Sequence, residues 1–270
     1  MTDVLAQIIA NKRQEVERAK ADDPLGAVKS RADDTAPPRN FFSAVTRPHD
    51  QLRVIAEIKK ASPSAGVIRD DFDPVAIARA YHENGAAAIS CLTDAKYFQG
   101  SLAFIHPIKD AVPLPVLRKD FIIDPYQVYE SRAAGADALL LIAEAIPNEG
   151  ELLDLLILAT ELRLTTLVEV HDVEQLLKVR PHVGFPHPSY TLLGINNRNL
   201  KTMTTDVNHT LRLIEMVEDP AVVVSESGIK TPYDVARLRR AGVHIVLVGE
   251  HLLRQPDVGA ALRELINGQP

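Results

Sequence analysis

The chain has 270 residues, 46% of them apolar and 24% charged, with 13 Gly, 18 Pro, one Cys and no Trp. That apolar content excludes a disordered chain, and a net charge of -6 lacks the basic excess of a domain that grips nucleic acid nonspecifically. Cys91 cannot form an internal disulfide, no apolar run reaches the roughly 20 residues of a membrane span, and Met1 to Lys20 holds no signal-peptide core. The expectation is therefore a soluble cytoplasmic protein with neither nucleic-acid nor membrane partners.

From Thr2 to Lys20, the residues Val4, Leu5, Ile8, Ile9 and Val16 recur at helical spacing between charged positions. This predicts an amphipathic helix capped by Thr2 or Asp3. Asp22 to Asp50 is polar and proline-containing, and reads as a connecting segment that docks on a larger body through Phe41 and Phe42. Residues 1–50 are thus expected to form a helix and covering segment, and residues 51–270 the main body.

From Val54 onward, short apolar runs end in polar residues: VIAEIK, AAAISCLT, VLRKDF, ALLLIAE, TTLVEV, TLLGIN, AVVVSES and IVLVGE. Their starts lie roughly 22 to 32 residues apart, room for one strand, one helix and two loops each. Asp73-Pro74, Asp124-Pro125 and Thr231-Pro232 each set a capping residue before a proline suited to the first helical turn. Gly85, Gly135 and Gly242 sit where the following helices should stop. About eight such units close a parallel (β/α) barrel, the TIM-barrel form of α/β architecture. The competing open, doubly wound sheet would bind a nucleotide at a Gly-rich first turn. Here that turn reads KKASPSAGVI and lacks the G-x-G-x-x-G pattern.

In a barrel, alternate side chains of a strand point inward and the chemistry gathers at the C-terminal ends. Glu57 and Lys59 share a face of the first strand, Lys119 and Phe121 one of the third, and Asn196 and Arg198 one of the sixth. Glu169 ends the fifth strand between Val168 and Val170, and Glu226-Ser227-Gly228 ends the seventh. Burying isolated ions costs several kcal/mol each, so Lys59, Lys119 and Arg198 are expected to meet Glu57, Glu169 and Glu226 at one mouth. That pattern fits acid–base work on an anionic substrate. Ser227-Gly228 and Gly249-Glu250 end the last two strands, where barrels hold a phosphate on backbone N–H groups; Ser62 adds a hydroxyl from the first loop. His182 and His187 read as loop residues, His171 and His251 as neighbours of the mouth, and Cys91 as a small core residue. No metal or cofactor site is expected.

The segments IAEIKKASPSAG, LTDAKYFQGS, VLRKDFI, LVEVH, GINNRNL, SESGI and LVGEHLL occur in this order and together resemble the indole-3-glycerol-phosphate synthase family of tryptophan biosynthesis. The resemblance runs from the N-terminal helix to the last barrel unit. It implies a (β/α) barrel whose N-terminal segment partly covers the mouth. It implies as substrate 1-(2-carboxyphenylamino)-1-deoxyribulose 5-phosphate, closed to an indole with loss of carbon dioxide and water. By this resemblance Lys119 is the general acid at the carbonyl, and Lys59 holds the carboxylate and serves the dehydration. Glu169 is base or charge stabiliser, Glu57 positions one of the lysines, and Asn196 orients the substrate. Arg198 anchors the carboxylate region, Glu226 meets the sugar hydroxyls, and Phe98 and Phe121 pack on the aromatic ring. Ser62, Ser227, Gly228, Gly249 and Glu250 cradle the phosphate. How acid and base steps divide among Lys59, Lys119 and Glu169 is left open.

His251 departs from the small residues common in the family at its position, and HVGFPHPSY is a longer connection than usual, expected on the bottom face. The partners expected are the small anionic substrate and, as an open option, other tryptophan-pathway enzymes. Two alternatives stand beside this reading. One is another phosphate-binding barrel enzyme, such as phosphoribosylanthranilate isomerase, a sugar-phosphate epimerase or a thiamine-phosphate synthase; the other is a barrel without catalysis.

Overall fold

The eight apolar runs form the eight strands of one closed parallel barrel, seen in a computed structural model that describes residues 4–184, 186–199 and 204–268. The strands are β1 (Arg53–Ile58), β2 (Ala88–Leu92), β3 (Val116–Lys119), β4 (Ala138–Ile142), β5 (Thr165–Val170), β6 (Thr191–Asn196), β7 (Val223–Glu226) and β8 (Ile245–Val248). They pair in chain order, and β8 returns to β1. Helices lie between successive strands, and the expected punctuation is in place. Asp73, Asp124 and Thr231 accept hydrogen bonds from the first-turn amides of helices that begin at Pro74, Pro125 and Pro232. Gly85, Gly135 and Gly242 have φ of 92°, 83° and 84°, the left-handed conformation that ends a helix and that glycine adopts without steric cost.

The strand period of two separates two cores. Ile55, Leu117, Leu140, Leu167, Leu192, Val224 and Leu247 fill the barrel interior. Their neighbours Val54, Ala56, Val116, Val168, Leu193 and Val246 pack outward against the helices. Register aligns the polar strand ends into one rim, pairing Leu92 with Lys119, Ile142 with Glu169, Glu169 with Gly194, and Asn196 with Glu226. The connection that includes HVGFPHPSY leads into β6 at its N-terminal end, as expected; within it His182 pairs with Glu149 at 2.7 Å, and Phe185 lies outside the described residues.

The first fifty residues are more structured than their composition indicated. The opening helix, α1, is Val4–Asp22; the expected cap at Thr2 or Asp3 lies outside the described residues. The presumed connecting segment holds two further helices, α2 (Leu25–Asp34) and α3 (Phe41–Thr46). Helix α3 begins where the Asn40 side chain accepts from Ser43 N–H at 2.7 Å. It seals the N-terminal end of the barrel, where Phe41 and Val45 are wholly buried in the interior core and the Arg53 guanidinium donates to Ala44 C=O. Phe42 is only half-buried, so the docking rests mainly on Phe41. Helix α1 lies across the opposite end, with Leu5 and Ile8 joining the same interior core from above.

A buried lysine fastens α1 in that position. Lys12 Nζ lies 2.7 Å from Glu15, 2.8 Å from Asp94 and 2.9 Å from Asp120. Burial disfavours its charge, yet the carboxylates of Asp120 and Asp94 outweigh burial and hold Lys12 above the usual lysine range. Asp120 also takes Arg118 at 3.1 Å and the Thr93 hydroxyl at 2.6 Å, and it stays ionised well below its usual range despite complete burial. Breaking a buried pair by deleting one partner leaves the other charge uncompensated. Lys12→Met is therefore expected to destabilise the fold by about 3 to 5 kcal/mol and to loosen α1 first. Denaturant unfolding with hydrogen exchange on α1 checks this; a variant as stable as the parent would show that the clasp contributes nothing.

Candidate active site

A cavity of about 420 Å³ opens at the C-terminal ends of the strands, under α1. Lys59, Lys119, Arg198, Glu57, Glu169 and Glu226 all line it, so the expected convergence of charges is present. Within it they sort into distinct pairs. Lys119 Nζ lies 3.0 Å from Glu169 Oε2 and 3.5 Å from Glu226 Oε2. Lys59 Nζ lies 2.5 Å from Glu57 Oε1, which assigns Glu57 to Lys59 as its direct partner. Asn196 Nδ2 donates to Glu169 Oε1 at 3.1 Å.

The charge states follow from these neighbours. Burial works against the Lys119 ammonium, but Glu169, Glu226 and Glu57 outweigh it and hold Lys119 above the usual lysine range. Burial also works against ionised Glu169, but Lys119, His171 and Asn196 hold its carboxyl well below the usual range. Glu226 goes the other way. Burial, the Glu169 charge and a hydrogen bond to Glu169 push it well above the carboxylate range, more than Lys119 can offset. Glu226, expected at the rim as one of three anions, thus holds its proton more tightly than Glu169 does, because burial beside a second carboxylate disfavours its charge.

The end of the cavity where a phosphate is expected, at the loops after β7 and β8, is built from unusual backbone. Ser227 and Gly228 have φ of 67° and 80°, and a Cβ at Gly228 would strike the Thr205 methyl. Buried Asn197 sets this turn by donating to Ser225 Oγ and to Ser227 C=O, each at 3.0 Å. Gly249 lines the same end, but its lack of a side chain has a second cause that the strand-end argument did not contain: a Cβ there would occupy the seat of the Glu57 carboxylate. The Glu250 side chain is engaged by Arg198 at 3.2 Å and Arg254 at 3.0 Å, which leaves its backbone N–H, not its carboxylate, for an anion. Ser62 is buried at the cavity edge, where its hydroxyl also accepts from Ala65 N–H at 3.2 Å, so it is a turn residue as well as a lining one. Arg198 reaches across the mouth to the Ser64 hydroxyl and Glu250, closer to the phosphate end than the carboxylate role implied. Phe98 and Phe121 line the apolar side, with ring centroids 6.1 Å apart.

The family model described as indole-3-glycerol phosphate synthase matches residues 5–265. The chain belongs to the indole-3-glycerol-phosphate synthase family. The synthase of that name from Rhodospirillum rubrum is 48% identical over 268 residues, covering 98% of this chain and 100% of its own. Those from Acidithiobacillus ferrooxidans and Rhodopirellula baltica are 48% and 45% identical, over 98% and 97% of this chain and 99% and 98% of theirs. Solved structures of 3-hexulose-6-phosphate synthase (TM-score 0.62, 16% identity, 79% of this chain and 98% of that one) and of the Legionella pneumophila tryptophan synthase alpha subunit (TM-score 0.57, 14% identity, 84% and 97%) share the barrel alone.

Within this family's barrel, sequence reasoning passed over several residues that the structure brings to the site. Lys12 and Asp120 bind α1 to the loop that follows Lys119. Lys230 and Arg254 add cations to the phosphate end. Asp120 stood inside a quoted motif, but nothing in a linear pattern pairs it with a lysine more than a hundred residues earlier. His171 had been placed only beside the mouth; it lies behind Glu169, 3.1 Å from Oε1.

Proposed function

We propose that the chain converts 1-(2-carboxyphenylamino)-1-deoxyribulose 5-phosphate to indole-3-glycerol phosphate, by ring closure, decarboxylation and dehydration. The observation that carries this reading is the Lys119–Glu169 pair, 3.0 Å apart on a water-poor floor, with a second lysine beside it and a backbone turn fit for an anion. The cavity volume suits a small aromatic sugar phosphate.

Each part of the substrate finds a matching surface. The phosphate meets the amides of Gly228, Gly249 and Glu250, with Ser62 and Ser227 beside them; the aromatic ring lies against Phe98 and Phe121. Lys59, held by Glu57, faces the carboxylate, with Arg198 guarding the mouth. The ring carbon that bears the carboxylate attacks the ketone carbon, and the ketone oxygen takes a proton from Lys119. Carbon dioxide then leaves and the ring regains its aromaticity. The new hydroxyl departs as water with a second proton, given by Lys119 once it has regained its charge. Glu169 accepts the proton lost by the methylene next to nitrogen. Asn196 fixes the Glu169 carboxylate, and Glu226 meets a sugar hydroxyl. The proposed setting is the cytoplasm, and the only partner the reaction needs is its small anionic substrate.

The decisive test supplies this carboxyphenylamino substrate to the purified protein and follows indole fluorescence. Turnover without any added protein is expected; a folded protein giving no signal would transfer the reading to another phosphate-binding barrel enzyme or to a barrel without catalysis. Inorganic phosphate is expected to compete with substrate, raising KM and leaving kcat unchanged. Inhibition that excess substrate cannot relieve would move the anion site elsewhere.

A further inference from the structure

The proposed reaction consumes a proton. Substrate enters with an ionised carboxylate, which leaves as carbon dioxide, while the ketone oxygen leaves as water. With the phosphate in the same state on both sides, one hydrogen of that water comes from the substrate methylene and the other comes from solvent. Yet the acid that protonates the ketone lies on the barrel floor, beneath α1, and bound substrate fills the only described cavity that reaches it. A proton must therefore arrive by another path or wait for the site to empty.

A chain of titratable groups leaves Glu169 on the side away from the cavity. Glu169 Oε1 lies 3.1 Å from His171 Nε2, and His171 Nδ1 lies 3.9 Å from Glu144 Oε2. The His171 side chain is 6% exposed and is not part of the cavity lining, whereas that of Glu144 is 28% exposed and reaches solvent. Glu144 sits in the short turn Ala143–Ala145 that follows β4, and His171 directly follows β5. The backbone at His171 is fixed by its N–H, which donates to Gln175 Oε1 at 2.9 Å. Such anchoring is what holds an imidazole between two carboxylates rather than letting it turn to solvent.

We propose that Glu144 and His171 form the proton-supply line of this site, carrying a solvent proton to Glu169 and on to Lys119 during turnover. The inference rests on the function proposed above. After ring closure the protonated His171 ring gives its Nε2 proton to Glu169, which passes it to the Lys119 amine 3.0 Å away. Glu169, ionised again, then takes the methylene proton while Lys119 protonates the departing hydroxyl, and return of that proton to Lys119 restores the ammonium–carboxylate pair. Between turnovers the ring, left with its Nδ1–H, turns the bare Nε2 toward Glu144 and regains one proton from solvent, the single proton that the reaction consumes. His171 acts through Glu169 and is a positioning and relay residue, not one that touches substrate.

The groups facing His171 are Glu169 from β5, Glu144 from the turn after β4, Lys119 from β3 and His209 from the helix Asn208–Leu213. Burial opposes the imidazolium and Lys119 adds to that opposition, but Glu169 and Glu144 prevail and raise His171 above the ordinary histidine value of about 6.5. The ring is thus protonated below that raised value and loses its transferable proton as pH rises through it. Activity should fall over the same interval.

The test is His171→Ala, with His171→Asn and Glu144→Gln beside it, in the full-length protein. His171→Ala is expected to lower kcat about a hundredfold with KM little changed, to lose the pH limb nearest neutrality, and to gain activity when free imidazole is added. His171→Asn should lose the same limb, and Glu144→Gln should show a smaller fall in kcat with a larger solvent deuterium isotope effect. A wild-type kcat and pH profile in His171→Ala, or a loss that imidazole leaves unrestored while the pH limb persists, overturns the relay. If the parent protein forms no indole, the proposed function fails, and the His171 ring NMR titration then decides the line by itself. Glu169→Gln should lower its midpoint, because the carboxylate that favours the imidazolium is gone, and an unmoved midpoint overturns the coupling.

Discussion

Lys119→Met is expected to reduce kcat by about 10³- to 10⁴-fold while leaving a folded protein that binds substrate. Methionine keeps the length of the side chain and removes both the proton donor and the charge. The fold survives this loss because Glu169 can take up a proton once its cation is gone, which limits the cost of an unpaired buried charge. The apolar layers on both sides of the sheet are unaffected. Substrate binding persists because the phosphate end lies on other loops and the apolar contact between Phe98 and Phe121 does not involve the Lys119 side chain. Steady-state fluorescence kinetics with equilibrium binding of inorganic phosphate separates the two effects. Unchanged turnover would remove Lys119 from the mechanism, and lost phosphate binding would reveal a collapsed site.

Glu169→Gln should lower kcat by about 10²- to 10⁴-fold through loss of the base, and it should also change the ionisation of Glu226. The Glu169 charge is, after burial, the main reason why Glu226 is held above the carboxylate range. Removing that charge lets Glu226 ionise beside Lys119, so the ammonium keeps a partner and the variant folds. The pH dependence of stability follows by sign. Glu169 is depressed below its unfolded value, so its contribution is present above roughly pH 4.3 and is lost as pH falls through the folded value. Glu226 is raised, so it favours the fold below its unfolded value and loses that contribution as pH rises through the folded one. Glu169→Gln weakens both trends, and melting temperatures across pH should vary less than in the parent. A variant whose melting profile matches the parent would show that the two carboxyls are not coupled.

The linear chain by itself determined the barrel, its helix boundaries and which residues stand at the rim. Those are local matters: alternation with a period of two assigns each strand residue to a face, a capping side chain ahead of proline starts a helix, and glycine at positive φ ends one. Glu57, Lys119, Glu169 and Asn196 could therefore be placed in one mouth before any coordinates existed. The Asp22–Asp50 segment escaped because its helices are only 10 and 6 residues long and owe their stability to docking, α3 through Phe41 and Val45 in the barrel end, and α2 against the helix Pro125–Ala133. Only the tertiary structure decided which lysine each glutamate serves, that Glu226 is held above the carboxylate range, that Lys12 clasps Asp120, and that His171 stands behind Glu169. These depend on distances of a few ångströms between strands far apart in sequence and on how completely water is excluded between them. Barrel closure and register set both, and neither is written in any one segment.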